Sequence, residues 1–184
     1  MAHSGLTGHS TIPMRLAALF GAVLCALSLL SCGFSSVREK GTIYIHMNAE
    51  PGSLNPLTAT DAYESEINKY IYESLLERDK DTLELIPMLA ESWTISPDRL
   101  SFTFKIRKGI YWSDGVEFTS DDVVYSYRTT MDPKVPCADK KVYLIDIASV
   151  VALDRYTVRF TYNKLYYRAL EICGSMNLIP RHIF

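Results

Sequence analysis

Between residues 101 and 107 the chain alternates strictly, with Phe102, Phe104 and Ile106 on one face and Thr103, Lys105 and Arg107 on the other. A period of two with one apolar face predicts a half-buried antiparallel strand. The Pro97-Asp98 turn before it sets that strand against residues 92–95. A second alternation places Tyr156, Val158, Phe160 and Tyr162 opposite Thr157, Arg159 and Thr161. With the apolar run 147–153 ahead of it and Asp154-Arg155 between, this predicts a β-hairpin. Elsewhere the period becomes helical. Tyr63, Ile67, Tyr70, Ile71, Ser74 and Leu75 share one face, and Asp61 and Glu64 are spaced to cap its start, which predicts a helix from residue 62 to about 77. Thr119, followed by Asp121 and Asp122, opens another helix with Val123, Val124, Tyr127 and Met131 inward, ended by Pro133 and Pro136. A short helix is expected over 165–172, stopped by Gly174.

The remaining punctuation is of turns and breaks. Residues 41–47, GTIYIHM, read as a strand entering the turn-rich stretch 50–56. Residues 79–82 and Ser113-Asp114-Gly115 are polar turns, Pro87 interrupts whatever 83–86 begins, and Leu178-Ile179-Pro180 starts a further element. Trp93 and Trp112 are expected in the core.

A different pattern occupies the start of the chain. Residues 16–30, LAALFGAVLCALSLL, are uncharged, follow Arg15 and precede Ser31-Cys32-Gly33. Fifteen residues are too few to span a bilayer comfortably, and the basic and small flanks fit an export leader over residues 1–31. Leu29-Leu30-Ser31-Cys32 is similar to a bacterial lipobox, in which the cysteine is acylated and becomes the mature N-terminus. A leader cleaved without lipidation and an uncleaved anchor are the other readings. Met14-Arg15 would make a more ordinary start for such a leader. Residues 32–40 then form a polar tether, and a folded region begins near residue 41. The protein is expected on the periplasmic or outer side of a membrane, held there by lipid.

Charge narrows the partners. Arg15 is the only charged residue before residue 32, so the rest of the chain carries a net charge near −3. That excludes a nucleic-acid binder by charge. Aromatic residues, at 11%, suit a globular fold. Of the four cysteines, Cys25 leaves with the leader and Cys32 takes the lipid, which leaves Cys137 and Cys173 as a disulfide or as two unpaired thiols.

No nucleophile elbow, HExxH, phosphate loop or paired-cysteine metal spacing occurs, so neither catalysis, nor a metal, nor a cofactor is expected. His46 and His182 are far apart and read as a strand and a loop residue. Asp121 and Asp122 are read as helix-capping residues ahead of a metal or acid–base pair.

Six segments then occur together in order and spacing: SLNP at 53–56, YESLL at 72–76, LAESW at 89–93, FTFKIRKGI at 102–110, WSDG at 112–115 and FTSDDVVYS at 118–126. On these the chain resembles the family 5 extracellular solute-binding proteins, the oligopeptide- and dipeptide-binding receptors of bacterial ABC importers, whose relatives also bind nickel chelates, haem and sugars. Arg99 stands where glycine is common, and Ser120 where alanine is usual. The resemblance implies an α/β (α+β) fold, the incomplete N-terminal part of a periplasmic-binding-protein type II lobe over residues 41–184. Family members are several-fold longer and two-lobed, so an N-terminal fragment is expected, lacking the second lobe. It implies a peptide or other small solute as ligand and importer permease subunits as partners, and no cofactor. Thr60, Asp61 and Ala62 fall where family members contact the ligand backbone in the manner of an added strand, although these residues also serve simply to start a helix. Tyr143 is a weaker candidate for the pocket wall, or an ordinary core tyrosine. The alternative function is a surface lipoprotein or remnant with no transport role.

Overall fold

The computed structural model describes residues 41–184. The predicted leader, Cys32 and the tether to residue 40 lie outside the described residues. Among the described residues, 41–46 and 47–184 belong to separate units. In the first, residues 41–46 carry no ladder pairing, and Ile43, Tyr44 and Ile45 are exposed. The strand expected over 41–47 is therefore not formed among the described residues. Its β-branched residues suit extended backbone, but a strand exists only through its hydrogen-bonded neighbour, and none of the described strands pairs with this run.

The second unit contains α1 (Ala62–Ile71), β1 (Leu76–Arg78), β2 (Leu85–Pro87), β3 (Ala90–Ile95), β4 (Ser101–Ile106), α2 (Ser120–Met131), α3 (Ala138–Leu144), β5 (Ile147–Asp154), β6 (Thr157–Tyr162) and α4 (Ala169–Gly174). The two alternating runs build its centre. All pairings are antiparallel: β3, β4, β6 and β5 lie in that order in one sheet, and β1 and β2 form a separate two-stranded ribbon. The register opposes Phe102 to Phe160 and Phe104 to Val158, so the residues predicted inward do face the core. Phe104, Phe160 and Val158 are fully buried. Diagonal ring pairs lock this face, Phe104 with Phe160 at 5.7 Å and Phe102 with Tyr162 at 5.8 Å between centroids, both edge to face. Burying each such ring stabilises by about 1.5–3 kcal/mol, with ring geometry adding roughly 0.5–1.5.

Helix α2 packs on β5 and β6. Asp122 accepts a hydrogen bond from the Thr119 amide at 2.9 Å, which caps the helix as the sequence predicts. Ser120 fastens the same end to the hairpin turn: its amide donates to Arg155 O at 3.0 Å and its hydroxyl to Asp154 O at 2.5 Å. Behind the helix, Leu178 and Ile179 are fully buried, with the Ile179 amide donating to Ser126 Oγ at 2.9 Å. Among the described residues no helix is long and apolar enough to cross a membrane.

Three sequence expectations shift. The first helix ends at Ile71, not near residue 77, because Tyr72 is already extended (φ −113°, ψ 129°) and Leu75 and Leu76 enter ladder-like pairing with the 87–90 region. Its apolar face is also not the buried one: Glu64 and Asn68 are buried, whereas Tyr70 and Ile71 are exposed. The last helix begins at Ala169, four residues later than expected, and contains Gly174 as its final residue. A Cβ on Gly174 would lie 2.7–2.9 Å from the Leu76 side chain, so this glycine permits close approach of α4 to β1.

Arg99 stands at a position whose backbone favours glycine. It sits at φ +58° in the β3–β4 turn, a left-handed conformation that costs a side-chain-bearing residue roughly 1–2 kcal/mol. Arg99→Gly is expected to stabilise the protein by about 0.5–1 kcal/mol after the added flexibility of glycine in the unfolded chain is offset. Chemical denaturation checks this, and a loss of stability would contradict it.

Candidate functional site

The segment 53–62 is a self-bonded loop. Asn55 organises its first half: its side chain accepts from the Leu57 amide at 2.9 Å and its carbonyl from the Ala59 amide at 2.9 Å. Glu64 organises the second half. Its carboxylate accepts from the Thr60 amide at 2.6 Å and the Asp61 amide at 3.2 Å, while Asp61 Oδ1 accepts from the Glu64 amide at 2.7 Å. This is a capping box on α1. Two of the three amides at 60–62 are thus committed inside the protein. A solute backbone meeting this loop is left with the Ala62 amide, at a helical position that has no preceding carbonyl to bind, and with loop carbonyls.

Two side chains from distant parts of the sequence tie the loop down. Lys140 Nζ donates to Ala59 O at 2.9 Å, and Asn177 Nδ2 to Pro56 O at 3.3 Å. Lys140 and Tyr143 lie one turn apart on α3, so the bond to Ala59 brings Tyr143 to the same place as the loop. Tyr143 is half exposed rather than a core tyrosine, and with Leu57, Lys140, Leu144 and Met176 it lines a cavity of about 160 Å³. A larger cavity of about 510 Å³ adjoins it, sharing Lys140, Ser175 and Asn177 and bordered by Ala59 and α1. Leu57 of the loop and Tyr143 thus line one cavity, and Pro56 and Ala59 border the other, whereas Thr60, Asp61 and Ala62 line neither. Sequence reasoning missed Lys140 and Asn177. No element was predicted over residues 138–144, and only the backbone carbonyls that Lys140 and Asn177 meet reveal their role.

The other sequence candidates separate. Asp122 is buried under α2, whereas Asp121 is exposed and pairs with Arg181 at 3.4 Å. His182 Nε2 lies 2.5 Å from Asp114 Oδ2, which holds the Asp114 carboxyl below its usual range. Trp93 and Trp112 are partly buried against the core. Cys137 and Cys173 are both free and buried. Each thiol has its own acceptor: Cys137 Sγ meets Thr130 O at 3.3 Å, and Cys173 Sγ meets Tyr162 Oη at 3.5 Å. Burial pushes the Cys173 thiol up to about 12 and raises Tyr162 as well, so both stay protonated.

A family model described as "Bacterial extracellular solute-binding proteins, family 5 Middle" matches residues 84–182. The chain is 38% identical over 144 residues to the oligopeptide-binding protein AliB of Streptococcus pneumoniae, covering 75% of this chain and 21% of that protein. It is 31% identical over 180 residues to heme-binding protein A of Haemophilus influenzae, covering 82% of this chain and 33% of that protein. Among solved structures, the ABC transporter-associated periplasmic binding protein DppA from Helicobacter pylori, in complex with the peptide STSA, superposes with a TM-score of 0.63 at 34% identity, over 73% of this chain and 30% of that one. The chain thus spans no more than about a third of the length of the curated relatives named here.

Because the thiolate is the reactive form, peptide mapping after alkylation is expected to find Cys137 and Cys173 unmodified in the folded protein and both modified once it is unfolded without reductant. Protection that persists after unfolding would reveal a disulfide instead.

Proposed function

From a chain that belongs to family 5 of the bacterial extracellular solute-binding proteins, we propose that residues 47–184 carry one wall of a solute site serving an ABC importer, with short peptides as the solute. The observation that carries this reading is the cleft lined by Leu57 and Tyr143, whose wall Lys140 ties to the loop at Ala59 O. A wall of this kind suits main-chain recognition. The loop is held by internal hydrogen bonds before any solute arrives, so little ordering cost falls on binding. Its half-exposed tyrosine offers a flat apolar surface with a polar tip. Peptides are favoured as the solute class by what AliB and DppA are named or captured as binding. The role is binding and delivery rather than catalysis.

The anchoring part of the proposal rests on the sequence. Residues 1–31 serve as an export leader, Cys32 carries lipid, residues 32–40 are the tether, and the folded region stands outside the membrane with importer permease subunits as partners. Permanent attachment through several acyl chains would keep a receptor beside its importer.

Thermal unfolding of the whole chain with a pool of tri- to pentapeptides tests the solute reading. A ligand at about 100 times its dissociation constant stabilises by about 2.7 kcal/mol, so the midpoint should rise with peptide concentration. Tyr143→Ala should leave the ligand-free midpoint within about 0.5 kcal/mol and reduce the peptide response. No rise with the pool, or the same rise in the variant, would contradict the reading. Labelled palmitate in the bacterium tests the anchor: label is expected on the wild type and lost in Cys32→Ala.

A further inference from the structure

The turn between β3 and β4 carries an arginine that the fold itself does not use. Arg99 sits at φ +58°, a backbone that glycine adopts freely and that costs a side-chain-bearing residue stability. Its amide donates to Ser96 O at 2.8 Å, but its guanidinium makes no hydrogen bond, ion pair or ring contact among the described residues. A strained residue without an internal partner points to a partner outside the fold. Arg99 lines a groove of about 700 Å³, a volume typical of small-molecule sites. Ile95 and Pro97 enter it from the end of β3 and the turn, and Leu165, Tyr166, Tyr167 and Leu170 from the stretch that leads into α4. Two of these are far out in solvent, Leu165 at 68% and Tyr167 at 91% exposure. We propose that this groove binds a small organic acid, an apolar body that carries a carboxylate.

The sign follows from the formal charges. Arg99 is the one charged residue lining the groove among the described residues, and a guanidinium offers five N–H donors and no acceptor. Asp98, beside it in the turn, does not line the groove: its Oδ1 accepts from the Ser96 hydroxyl at 2.5 Å and the Leu100 amide at 3.0 Å. The Ser96 hydroxyl is used there and by the Ser101 amide at 2.9 Å. An adjoining depression, which shares Tyr167 and Leu170, adds Arg78 and Arg168, both held on Glu171 at 2.9 and 3.0 Å. Across both, three arginines line the surface with one carboxylate, and that carboxylate is already taken. An organic cation would therefore find no free partner here. A carboxylate would meet the planar fork of Arg99, which matches its two oxygens. Body and head have separate tasks. An exposed ion pair contributes little alone, so the apolar and aromatic walls supply most of the affinity and Arg99 selects the anion.

The inference does not depend on peptides being the solute, because the groove shares no lining residue with the cleft of Tyr143 and Lys140. Binding to the whole chain is measured by titration calorimetry with 4-phenylbutanoate, 4-phenylbutylammonium, 4-phenylbutan-1-ol and acetate. The butanoate should bind. The ammonium and the alcohol, which keep the body and change the head, should bind at least about fivefold more weakly, and acetate, which keeps only the head, should show no binding. Arg99→Gly should act in two directions, raising the ligand-free melting temperature as the left-handed backbone is relieved and removing the preference for the butanoate over the alcohol. Tyr167→Ser, at an exposed side chain, should leave the ligand-free melting temperature unchanged and weaken all three phenyl probes about threefold. Tyr143→Ala should leave the butanoate affinity unchanged, so failure of the peptide reading and failure of this one are told apart. No binding of the butanoate, equal binding of the butanoate and the alcohol, a preference that survives Arg99→Gly, unchanged affinity in Tyr167→Ser, or loss of the butanoate in Tyr143→Ala would overturn the proposal.

Discussion

The Glu64 carboxylate sits at the junction where the 53–62 loop becomes a helix. It accepts the amides of Thr60 and Asp61 and leaves the residue 5% exposed. A buried carboxylate is tolerated only when its oxygens are hydrogen-bonded, and charge-assisted bonds of this kind contribute about 1.5–3 kcal/mol each. That requirement orients α1. With Glu64 turned inward, Asn68 one turn later is turned inward too, and Tyr70 and Ile71 are carried to the outside. The loop's conformation, the polar lining of the larger cavity and the exposed aromatic edge of the helix all follow from where one side chain must point.

The remainder of the second unit provides a stable surface for that loop. Sheet β3-β4-β6-β5 has an aromatic inner face, and α2 and the 176–180 segment cover it with small and polar residues placed where backbone comes close, such as Ser126 against Ile179. Lys140 and Asn177 reach from this layer to loop carbonyls at Ala59 and Pro56. Neither bond is strong alone, but both end on backbone that is already organised, so they fix position at little further entropic cost.

What the sequence made legible follows the same division. The period-two runs at 101–107 and 156–162 specified the central pairing, because a one-residue slip would have turned every phenylalanine to solvent. The caps at Asp61 and Thr119 were legible because capping is local chemistry. The orientation of α1 was not. Its apolar periodicity through Tyr63, Ile67 and Ile71 pointed to a neighbouring face about a quarter turn away, and the loop amides that recruit Glu64 leave no periodic trace. The end of the helix at Ile71 was lost for a related reason, since Leu75 and Leu76 suit a helix equally well and only pairing with residues 87–90 pulls them into extended backbone. Of the candidate residues, Thr60 to Ala62 and Tyr143 were suggested by family resemblance, and of these Tyr143 lines the cavity, whereas Lys140 and Asn177 act on backbone carbonyls, which no side-chain pattern announces.

The account turns on a loop made rigid from within by one buried carboxylate. Residue-resolved hydrogen exchange of the Thr60 and Asp61 amides tests this most directly. In the wild type both should exchange slowly, at rates comparable to amides inside α1, and in Glu64→Ala both should accelerate while β4 and β6 remain protected. Exchange at Thr60 and Asp61 as fast as in an unstructured peptide, with Glu64 present, would contradict it.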